Sequence, residues 1–385
     1  MKIIDLNTYR IDFNGDMWIW LSIETDKGLI GWGEVTDSGN DGAVAQIINE
    51  LSKHLIGKDP RNILDCTYEA VKYKFPSMKK NRFFSTAWSG IDQALWDIKS
   101  QSFEMPLYWL LGGFGKKQIP LYANLNRGLR KNRTPDALKE SGQKAYSEGF
   151  SMVKCTPFDE VVPSNHVSDL EPSLNRLKSL LTVVDLSNVS IDFHQRFNQE
   201  MLFKVLKEIT ELGDPFWIED PIHVEQGDIY SLIRKLYPTL SIAGGENSTS
   251  LSCLWELLNA NLVSVIMPDV KHVGGVSTIK TIIPLVEERG IKLSLHNPSG
   301  PISTAFSAHL STLCREPFPL EYPWKLNCKR AESSILAEPI AGGMYHLTDR
   351  PGIGISPTDD FLKQYGEIWE SGMWKSFINL KREVF

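Results

Sequence analysis

Six short apolar segments between residues 189 and 321 each end in an acid or a histidine, and this register limits the fold more than any other feature. The terminal residues are Asp192, Glu219, Glu246, Asp269, His296 and Glu321. Successive members lie 23 to 27 residues apart, which is the length of one strand, one helix and two loops. Connections of this length are too long for hairpins and favour parallel strands. The register therefore predicts an α/β fold with a closed (β/α)8 barrel.

Acids at the carboxyl ends of successive barrel strands converge on one mouth, where such barrels place their chemistry. A single acid after a strand is usually a helix cap or a solvated loop charge. Three carboxylates at the same end, Asp192, Glu219 and Glu246, would repel one another unless a cation lay between them. Hard oxygen ligands on three strands suit Mg²⁺ better than Zn²⁺. Lys154, in the strand predicted over 150–156, faces the same mouth and is expected to contact a substrate carboxylate or a metal ligand.

The chain before the barrel predicts a separate α+β unit. Residues 2–35 alternate apolar and polar positions, a pattern typical of a three-stranded antiparallel meander. Its turn signals are Asn14-Gly15 and Asp26-Lys27-Gly28. Helical periodicity follows in three stretches, 41–56, 62–74 and 84–101.

The expected organisation therefore has three parts. Residues 1–115 form an α+β capping domain, and residues 116–335 form the barrel with the metal site. The C-terminal segment, 336–385, returns to the capping domain and completes it. A chain of 385 residues is long enough for this combination.

The composition excludes several classes of protein. A formal net charge of -6, a pI near 5.8 and the lack of a long Lys/Arg run argue against a nucleic-acid partner. The five cysteines are scattered without a Cys-x-x-Cys pair, so neither a disulfide framework nor a structural zinc site is expected. Charged residues interrupt the first 20 positions and no apolar run reaches transmembrane length. We therefore expect a cytoplasmic protein with no membrane partner.

The register resembles that of the enolase superfamily, mandelate racemase subgroup, and the resemblance covers nearly the whole chain. The supporting motifs are Gly-Trp-Gly-Glu34, the stretch 90–99, Leu-Gly-Gly113 and Pro268-Asp269-Val-Lys-His-Val-Gly-Gly275. Within the subgroup, two motifs are most similar to galactonate dehydratase and its sugar-acid dehydratase relatives. These are Asp192-Phe-His-Gln-Arg196 and His296-Asn-Pro-Ser-Gly-Pro301.

This resemblance implies a role for each member of the register. Asp192, Glu219 and Glu246 would hold Mg²⁺, which binds the substrate carboxylate and stabilises the enediolate formed when the neighbouring carbon loses its proton. His296, oriented and made more basic by Asp269, is the implied base.

Other residues are implied to complete the site. Glu321 would donate a hydrogen bond to the enediolate oxygen. His194 lies two residues beyond a metal ligand, on the same side of its strand, and is the candidate acid for the leaving 3-hydroxyl. The expected substrate contacts are Lys154, Thr156, Arg196 and Trp18. His223 and His272 are weaker candidates for lining the site.

The expected function is Mg²⁺-dependent dehydration of an aldonic acid, such as galactonate or gluconate, to a 2-keto-3-deoxy acid. Two other interpretations stay open: an epimerase, racemase or cycloisomerase that uses both histidines, and a sugar-acid-binding regulator without turnover. Racemase relatives carry a lysine at the position of Thr156, which disfavours a lysine-based racemase. By analogy with relatives, we expect a homo-oligomer that binds a small-molecule sugar acid.

The chain also departs from galactonate dehydratase at several positions. Asn247 stands where that enzyme has an arginine, and Asp220 stands where it has a glutamate. Tyr322-Pro-Trp324 after Glu321 is not the dehydratase pattern either. These differences leave the identity of the sugar acid open.

Overall fold

The first three strands form the antiparallel meander that the alternation predicts. The computed structural model describes residues 1–13, 16–71, 81–129, 132–325, 330 and 338–376, so the predicted Asn14-Gly15 turn lies outside the described residues. Strand β1 (Ile3–Phe13) pairs with β2 (Asp16–Thr25), and β2 pairs with β3 (Ile30–Glu34).

Within the described residues, four helices follow the meander. They are α1 (Asp41–Leu55), α2 (Ile63–Val71), α3 (Arg82–Ser102) and the short α4 (Leu107–Leu110). Helix α3 approaches β3 very closely, because a Cβ atom at Gly31 or Gly33 would lie 2.2 Å from a carbonyl oxygen of α3. Only glycine permits this approach of strand to helix. Ile19, Leu21 and Ile23 of β2 pack with apolar residues of α1 and α3, and this packing forms the core of the capping domain.

Eight short parallel strands follow in the order expected for a barrel. They are β4 (Gln118–Asn124), β5 (Val153–Cys155), β6 (Val189–Asp192), β7 (Trp217–Glu219), β8 (Ile242–Gly244), β9 (Val265–Ile266), β10 (Lys292–Leu293) and β11 (Leu320–Tyr322). The connecting helices are α5 (Pro135–Ser147), α6 (Glu171–Leu180), α7 (Gln199–Leu212), α8 (Gly227–Leu236), α9 (Leu251–Asn259), α10 (Gly275–Glu288) and α11 (Pro301–Ser311).

Each barrel strand from β4 to β9 pairs with the next one, and β11 pairs with β4. Within the described part of the chain, the strand ladder is interrupted only between β10 and β11. Side-chain contacts link the two strands there. Ser294 Oγ donates to the carbonyl of Pro319 over 2.7 Å, and the backbone N–H of Asn297 donates to the Glu321 carboxylate over 2.8 Å.

The C-terminal residues join the barrel to the cap. The hairpin of β12 (Ile340–Ala341) and β13 (Met344–His346) pairs antiparallel with the start of β4. After α12 (Asp359–Tyr365), strands β14 (Gly366–Glu370) and β15 (Met373–Ser376) extend the cap sheet, where β14 pairs with β1. The cap sheet therefore contains strands from both ends of the chain.

The inside of the barrel is filled by apolar side chains one layer deeper than the strand-end acids. Trp217 precedes Glu219 by two residues, and Tyr122 precedes Asn124 by two, so each pair faces the same side of its strand. The rings of Tyr122 and Trp217 meet edge to face at 5.4 Å between centroids. This packing leaves the carboxyl end of the barrel for polar chemistry. None of the helices in the described ranges is long and apolar enough to cross a membrane.

The contact of β3 with α3 gives a direct test of the fold. Replacing Gly33 with alanine places a Cβ atom 2.2 Å from the Gly90 carbonyl oxygen, so strand and helix must separate. We expect Gly33→Ala to lower the free energy of unfolding by about 1 to 3 kcal/mol, measured by urea denaturation. Gly227→Ala is the control, because its nearest neighbour lies 3.8 Å away. Equal urea midpoints for the two variants would contradict this packing.

Candidate active site

The three predicted metal ligands lie on neighbouring strands. Asp192 and Glu219 end β6 and β7 and are directly paired in the ladder. Glu246 follows the next strand, β8, by two residues. The side chains of Asp192 and Glu219 are buried, whereas that of Glu246 is 17% exposed. Three carboxylates thus share the carboxyl end of the barrel.

Lys154 is the cation at the centre of this group. Its Nζ lies 2.6 Å from Glu219 Oε1 and 3.3 Å from both Asp192 Oδ2 and Glu321 Oε1. Burial disfavours the ammonium ion, but these carboxylates outweigh it and raise the pKa of Lys154 well above its usual value. Burial, together with the charge of Asp192, raises the pKa of Glu219 to about 8. The Lys154 charge therefore compensates acids that would otherwise repel one another.

His296 forms a dyad with Asp269. The two residues follow β9 and β10 by three positions each, and His296 Nδ1 lies 2.8 Å from Asp269 Oδ2. His296 Nε2 lies 3.0 Å from Glu246 Oε2, on the side of the carboxylates. Burial lowers the pKa of His296, but Glu246, Glu321 and Asp269 outweigh it and raise the pKa to about 10. Asp269 is also paired with Lys271 Nζ at 2.6 Å.

His194 stands on the opposite wall. Strands β6 and β10 are the third and seventh of the eight barrel strands, so the residues that follow them face each other across the mouth. His194 has a left-handed backbone (φ 48°), and its Nε2 lies 3.0 Å from Asp192 Oδ2. The Asp192 carboxylate raises the pKa of His194 against the effect of burial. A left-handed conformation is unfavourable for histidine and is typical of functional sites.

Glu321 is held in a fixed orientation. Its Oε1 accepts a hydrogen bond from Asn124 Nδ2 (2.5 Å), and its Oε2 accepts one from the backbone N–H of Asn297 (2.8 Å). Burial raises the pKa of this carboxyl, but Lys154 and His296 outweigh burial, so the net shift is downward. The carboxylate therefore lies between the Lys154 ammonium and the His296 imidazole.

The donor set fits a divalent hard cation, because it offers three carboxylates on adjacent strands. Asp192 Oδ2 is buried and makes no hydrogen bond of good geometry to any described residue. In this conformation each carboxylate is paired with a cationic side chain instead: Glu219 with Lys154, Asp192 with His194, and Glu246 with His296. Accordingly, no three His, Cys, Asp or Glu side chains in the described ranges converge on one metal position.

A cavity of about 130 Å³ lies among these groups. Five of the residues predicted for the site line this cavity: Lys154, Asp192, His194, His296 and Glu321. It is also lined by residues that the sequence analysis missed, namely Asn124, Asn126, Arg127, Arg133 and Pro298. Asn124 ends β4, and both arginines lie in the loop that follows. Their position after the first predicted barrel strand could have identified them as site residues, because such loops line the mouth of a barrel. The two arginines bring local positive charge to an acidic chain.

Three of the predicted substrate contacts are not among the described residues that line this cavity. Trp18 is buried in the core and stacks on Trp20, with 5.6 Å between ring centroids. Arg196 donates to the Val161 carbonyl over 3.4 Å. Thr156 accepts a hydrogen bond from Asn126 Nδ2 over 2.6 Å and so supports a residue of the lining.

The two weaker histidine candidates also lie apart from the cavity lining. His223 is exposed. His272 is buried, with its Nδ1 2.8 Å from Thr86 Oγ1 and its Nε2 3.8 Å from Asp269 Oδ2. His272 therefore belongs to the contact between cap and barrel.

The cap, the eight barrel strands and the acids at their carboxyl ends place the chain among the capped barrel enzymes. Comparison with known families narrows this class. The model described as "Enolase C-terminal domain-like" matches residues 137–361, and that of the "Mandelate racemase / muconate lactonizing enzyme, N-terminal domain" matches residues 13–112. The chain therefore belongs to the mandelate racemase/muconate lactonizing enzyme family of the enolase superfamily.

Individual relatives agree with this assignment. A D-galactonate dehydratase from Verminephrobacter eiseniae is 32% identical over 80% of this chain and 78% of its own length. A D-galactonate dehydratase from Pectobacterium atrosepticum is 28% identical over 97% of this chain and 98% of its own. The expected class of enzyme, a hydro-lyase, is confirmed by these relatives.

Solved structures confirm the predicted fold, a (β/α)8 barrel with an N-terminal cap. An enolase-superfamily member from Salmonella Typhimurium has a TM-score of 0.84 and 25% identity, over 96% of this chain and 99% of its own. A mandelate racemase/muconate lactonizing enzyme from Jannaschia sp. CCS1 also has a TM-score of 0.84, with 23% identity over 97% of this chain and 99% of its own.

Removing the Lys154 charge tests how the carboxylates are balanced. We expect Lys154→Met to lower the free energy of unfolding in EDTA by about 3 to 5 kcal/mol, because buried acids lose their partner. Excess Mg²⁺ should restore part of this loss, because a bound cation supplies the missing charge. Urea denaturation with and without Mg²⁺ measures both effects.

Lys204→Met is the control, because Lys204 forms an exposed pair with Glu208. This variant should change the free energy of unfolding by less than about 1 kcal/mol. If Mg²⁺ stabilised neither variant, the assignment of the carboxylates as a cation site would be contradicted.

Proposed function

We propose that the protein is a Mg²⁺-dependent dehydratase that converts an aldonic acid, such as galactonate or gluconate, into a 2-keto-3-deoxy acid. The observation that carries this proposal is the placement of two histidines on opposite walls of one cavity, with three carboxylates between them. An elimination that removes a proton from one carbon and a hydroxyl from the next needs a base and an acid of this kind. The D-galactonate dehydratases among the relatives support the substrate class.

His296 is the proposed base in its neutral form, which it would adopt once Mg²⁺ replaces it as the partner of Glu246. The Asp269 carboxylate accepts from Nδ1, so the Nδ1 proton stays in place and Nε2 is the nitrogen that takes the substrate proton. Nε2 faces Glu246 and therefore lies on the side of the proposed metal ligands, where the substrate would bind. The negative charge of Asp269 also stabilises the imidazolium that forms after proton transfer.

His194 is the proposed acid. The Asp192 carboxylate favours its protonated form, so a proton is available on the wall opposite His296. The side chain of His194 is 37% exposed, which leaves it open to the departing 3-hydroxyl. Protonation turns this hydroxyl into water, a much better leaving group. Proton removal and hydroxyl loss thus occur on the two faces of the substrate.

Asp192, Glu219 and Glu246 would hold Mg²⁺. When bound, this ion would supply the positive charge that stabilises the substrate carboxylate as the neighbouring carbon loses its proton. Glu321, fixed by Asn124 and Asn297, lies beside the developing charge and contributes a hydrogen bond when it carries a proton. Arg127 and Arg133 line the same cavity and orient the hydroxyl-bearing part of an anionic substrate.

Keto-acid formation from a panel of aldonic and aldaric acids with Mg²⁺ tests the reaction. We expect His296→Asn to lower kcat by about 10²- to 10⁴-fold and to stop exchange of the C2 proton with D₂O, because the base is lost. His194→Asn should lower elimination by a similar factor and retain the exchange, because its base is intact. His54→Asn, an exposed change on α1, should behave like the wild type.

The same measurements separate the alternatives. Solvent deuterium in recovered, inverted substrate without keto acid would replace the dehydratase with an epimerase. Saturable sugar-acid binding without product or exchange at any metal concentration would instead favour a binding regulator.

A further inference from the structure

A buried carboxylate of the cap lies at the start of a barrel helix. Glu34 ends β3, and its side chain is completely buried. Its Oε1 accepts hydrogen bonds from the Gly300 backbone N–H (2.6 Å) and from Thr36 Oγ1 (2.9 Å), and its Oε2 accepts from the Ser303 backbone N–H (2.9 Å). Gly300 and Ser303 belong to the N-terminus of α11, whose free N–H groups favour a negative charge.

The approach of Glu34 to α11 depends on the absence of a side chain at the helix cap. The N-cap residue is Gly300, and it provides no side-chain cap of its own. A Cβ atom at Gly300 would lie 2.6 Å from Glu34 Oε2 and 2.8 Å from Oε1. The capping domain thus supplies the hydrogen-bond acceptor for the first N–H groups of α11, a role that the N-cap side chain plays in most helices.

Glu34 is itself held from the other side. Its backbone N–H donates to Gln93 Oε1 (3.2 Å), and Gln93 Nε2 donates to the Glu34 carbonyl (3.1 Å). Gln93 is a buried residue of α3, the central helix of the cap. The carboxylate position is therefore set by the cap and not by the barrel.

The first turn of α11 in turn holds Asn297. Ser303 Oγ donates to Asn297 Oδ1 (2.8 Å), and Asn297 Nδ2 donates to Thr304 Oγ1 (2.7 Å). The Asn297 backbone N–H donates to Glu321 Oε2 (2.8 Å). Asn297 also directly follows His296 in the chain. A continuous series of hydrogen bonds therefore runs from Glu34 to Glu321, and the backbone of Asn297 connects this series directly to His296.

We propose that Glu34 is a positioning residue through which the capping domain sets the placement of His296 and Glu321. The catalytic consequence rests on the proposed function. Glu34 does not touch the substrate, so it acts on the geometry of the base and not on binding of substrate or metal. A displacement of about 1 Å at a reacting group is enough to lower the rate by about 10²-fold.

The test variant is Glu34→Gln. Both oxygens of Glu34 accept hydrogen bonds, so an amide nitrogen at either position must face an N–H or O–H donor and displace the start of α11. We expect kcat for keto-acid formation and the rate of C2 proton exchange to fall together by about 10- to 100-fold. KM and the dissociation constant for Mn²⁺, used as a probe for Mg²⁺, should stay within about twofold, because the metal and substrate groups are untouched.

Asp97→Asn is the matched control. Asp97 is another buried carboxylate of the cap, and it accepts two backbone N–H bonds, from Trp32 and Ile353, both at 3.0 Å. It has no link to His296 or Glu321 among the described contacts. We expect Asp97→Asn to lower the thermal midpoint to a similar extent and to retain the wild-type kcat. Equal kcat values for the two variants would overturn the proposal.

A second variant keeps the proposal testable if Glu34→Gln fails to fold. Ser303→Ala removes the bond from Ser303 Oγ to Asn297 and keeps the backbone bond to Glu34. We expect a decrease in kcat of at least about threefold with KM unchanged. Ser307→Ala is its control, because Ser307 lies one turn further along α11 and its buried Oγ has no partner among the described residues. Identical kcat values for these two serine variants would overturn the proposal.

Amide hydrogen exchange separates this proposal from the dehydratase assignment. We expect Glu34→Gln, but not Asp97→Asn, to accelerate exchange in residues 294–304, because the start of α11 loses its acid. If the wild type formed no keto acid, the dehydratase assignment would fail. The hydrogen exchange of residues 294–304 would then by itself support or overturn the proposal that Glu34 positions this segment. Unchanged exchange in 294–304 would overturn it.

Discussion

The balance of buried charge at the carboxyl end of the barrel is the constraint on which the rest of the structure depends. Asp192, Glu219, Asp269 and Glu321 are each exposed by 1% or less. Buried like charges are tolerated only when opposite charges lie beside them. The barrel meets this requirement because each strand from β5 to β11 contributes one ionisable group at or just after its carboxyl end, and the cations of strands and loops fall between the acids. Lys154 pairs with Glu219 at 2.6 Å, and Lys271 pairs with Asp269 at 2.6 Å. This dense set of charges is also what an anionic substrate and a divalent cation require.

The cap contributes to this end of the barrel through its acids. Helices α10 and α11 follow the strands that lead to Asp269 and His296, and both begin after a glycine that provides no side-chain cap. Asp92 of the cap accepts from the Ser277 backbone N–H (3.0 Å) at the start of α10, just as Glu34 does at α11. Each acid is favoured by the helix dipole and replaces a local cap. The cap is thus part of the framework that holds His296 and Asp269, the proposed base and its partner.

The positions expected to differ from galactonate dehydratase have different surroundings. Tyr322 stacks on Phe150 at 5.9 Å between centroids, and Arg330 lies over its ring, so this position serves packing. Asn247 is exposed next to Glu246. Asp220 is buried with a left-handed backbone (φ 41°), and burial raises its pKa. These differences lie around the residues proposed for metal binding and proton transfer, where substrates of one reaction class are distinguished.

The sequence by itself determined the register, because the length of a βα unit is fixed by the dimensions of strand and helix. From that spacing followed the parallel strands, the common mouth and the convergence of Asp192, Glu219 and His296. The tertiary structure alone decided which residues complete the site. Both faces of β2 are buried, which its sequence pattern does not reveal, and Trp18, expected to contact substrate, lies in the core. The contact between Glu34 and Gly300 joins residues 266 positions apart. No local pattern encodes such a contact, because it exists only after the cap has packed on the barrel.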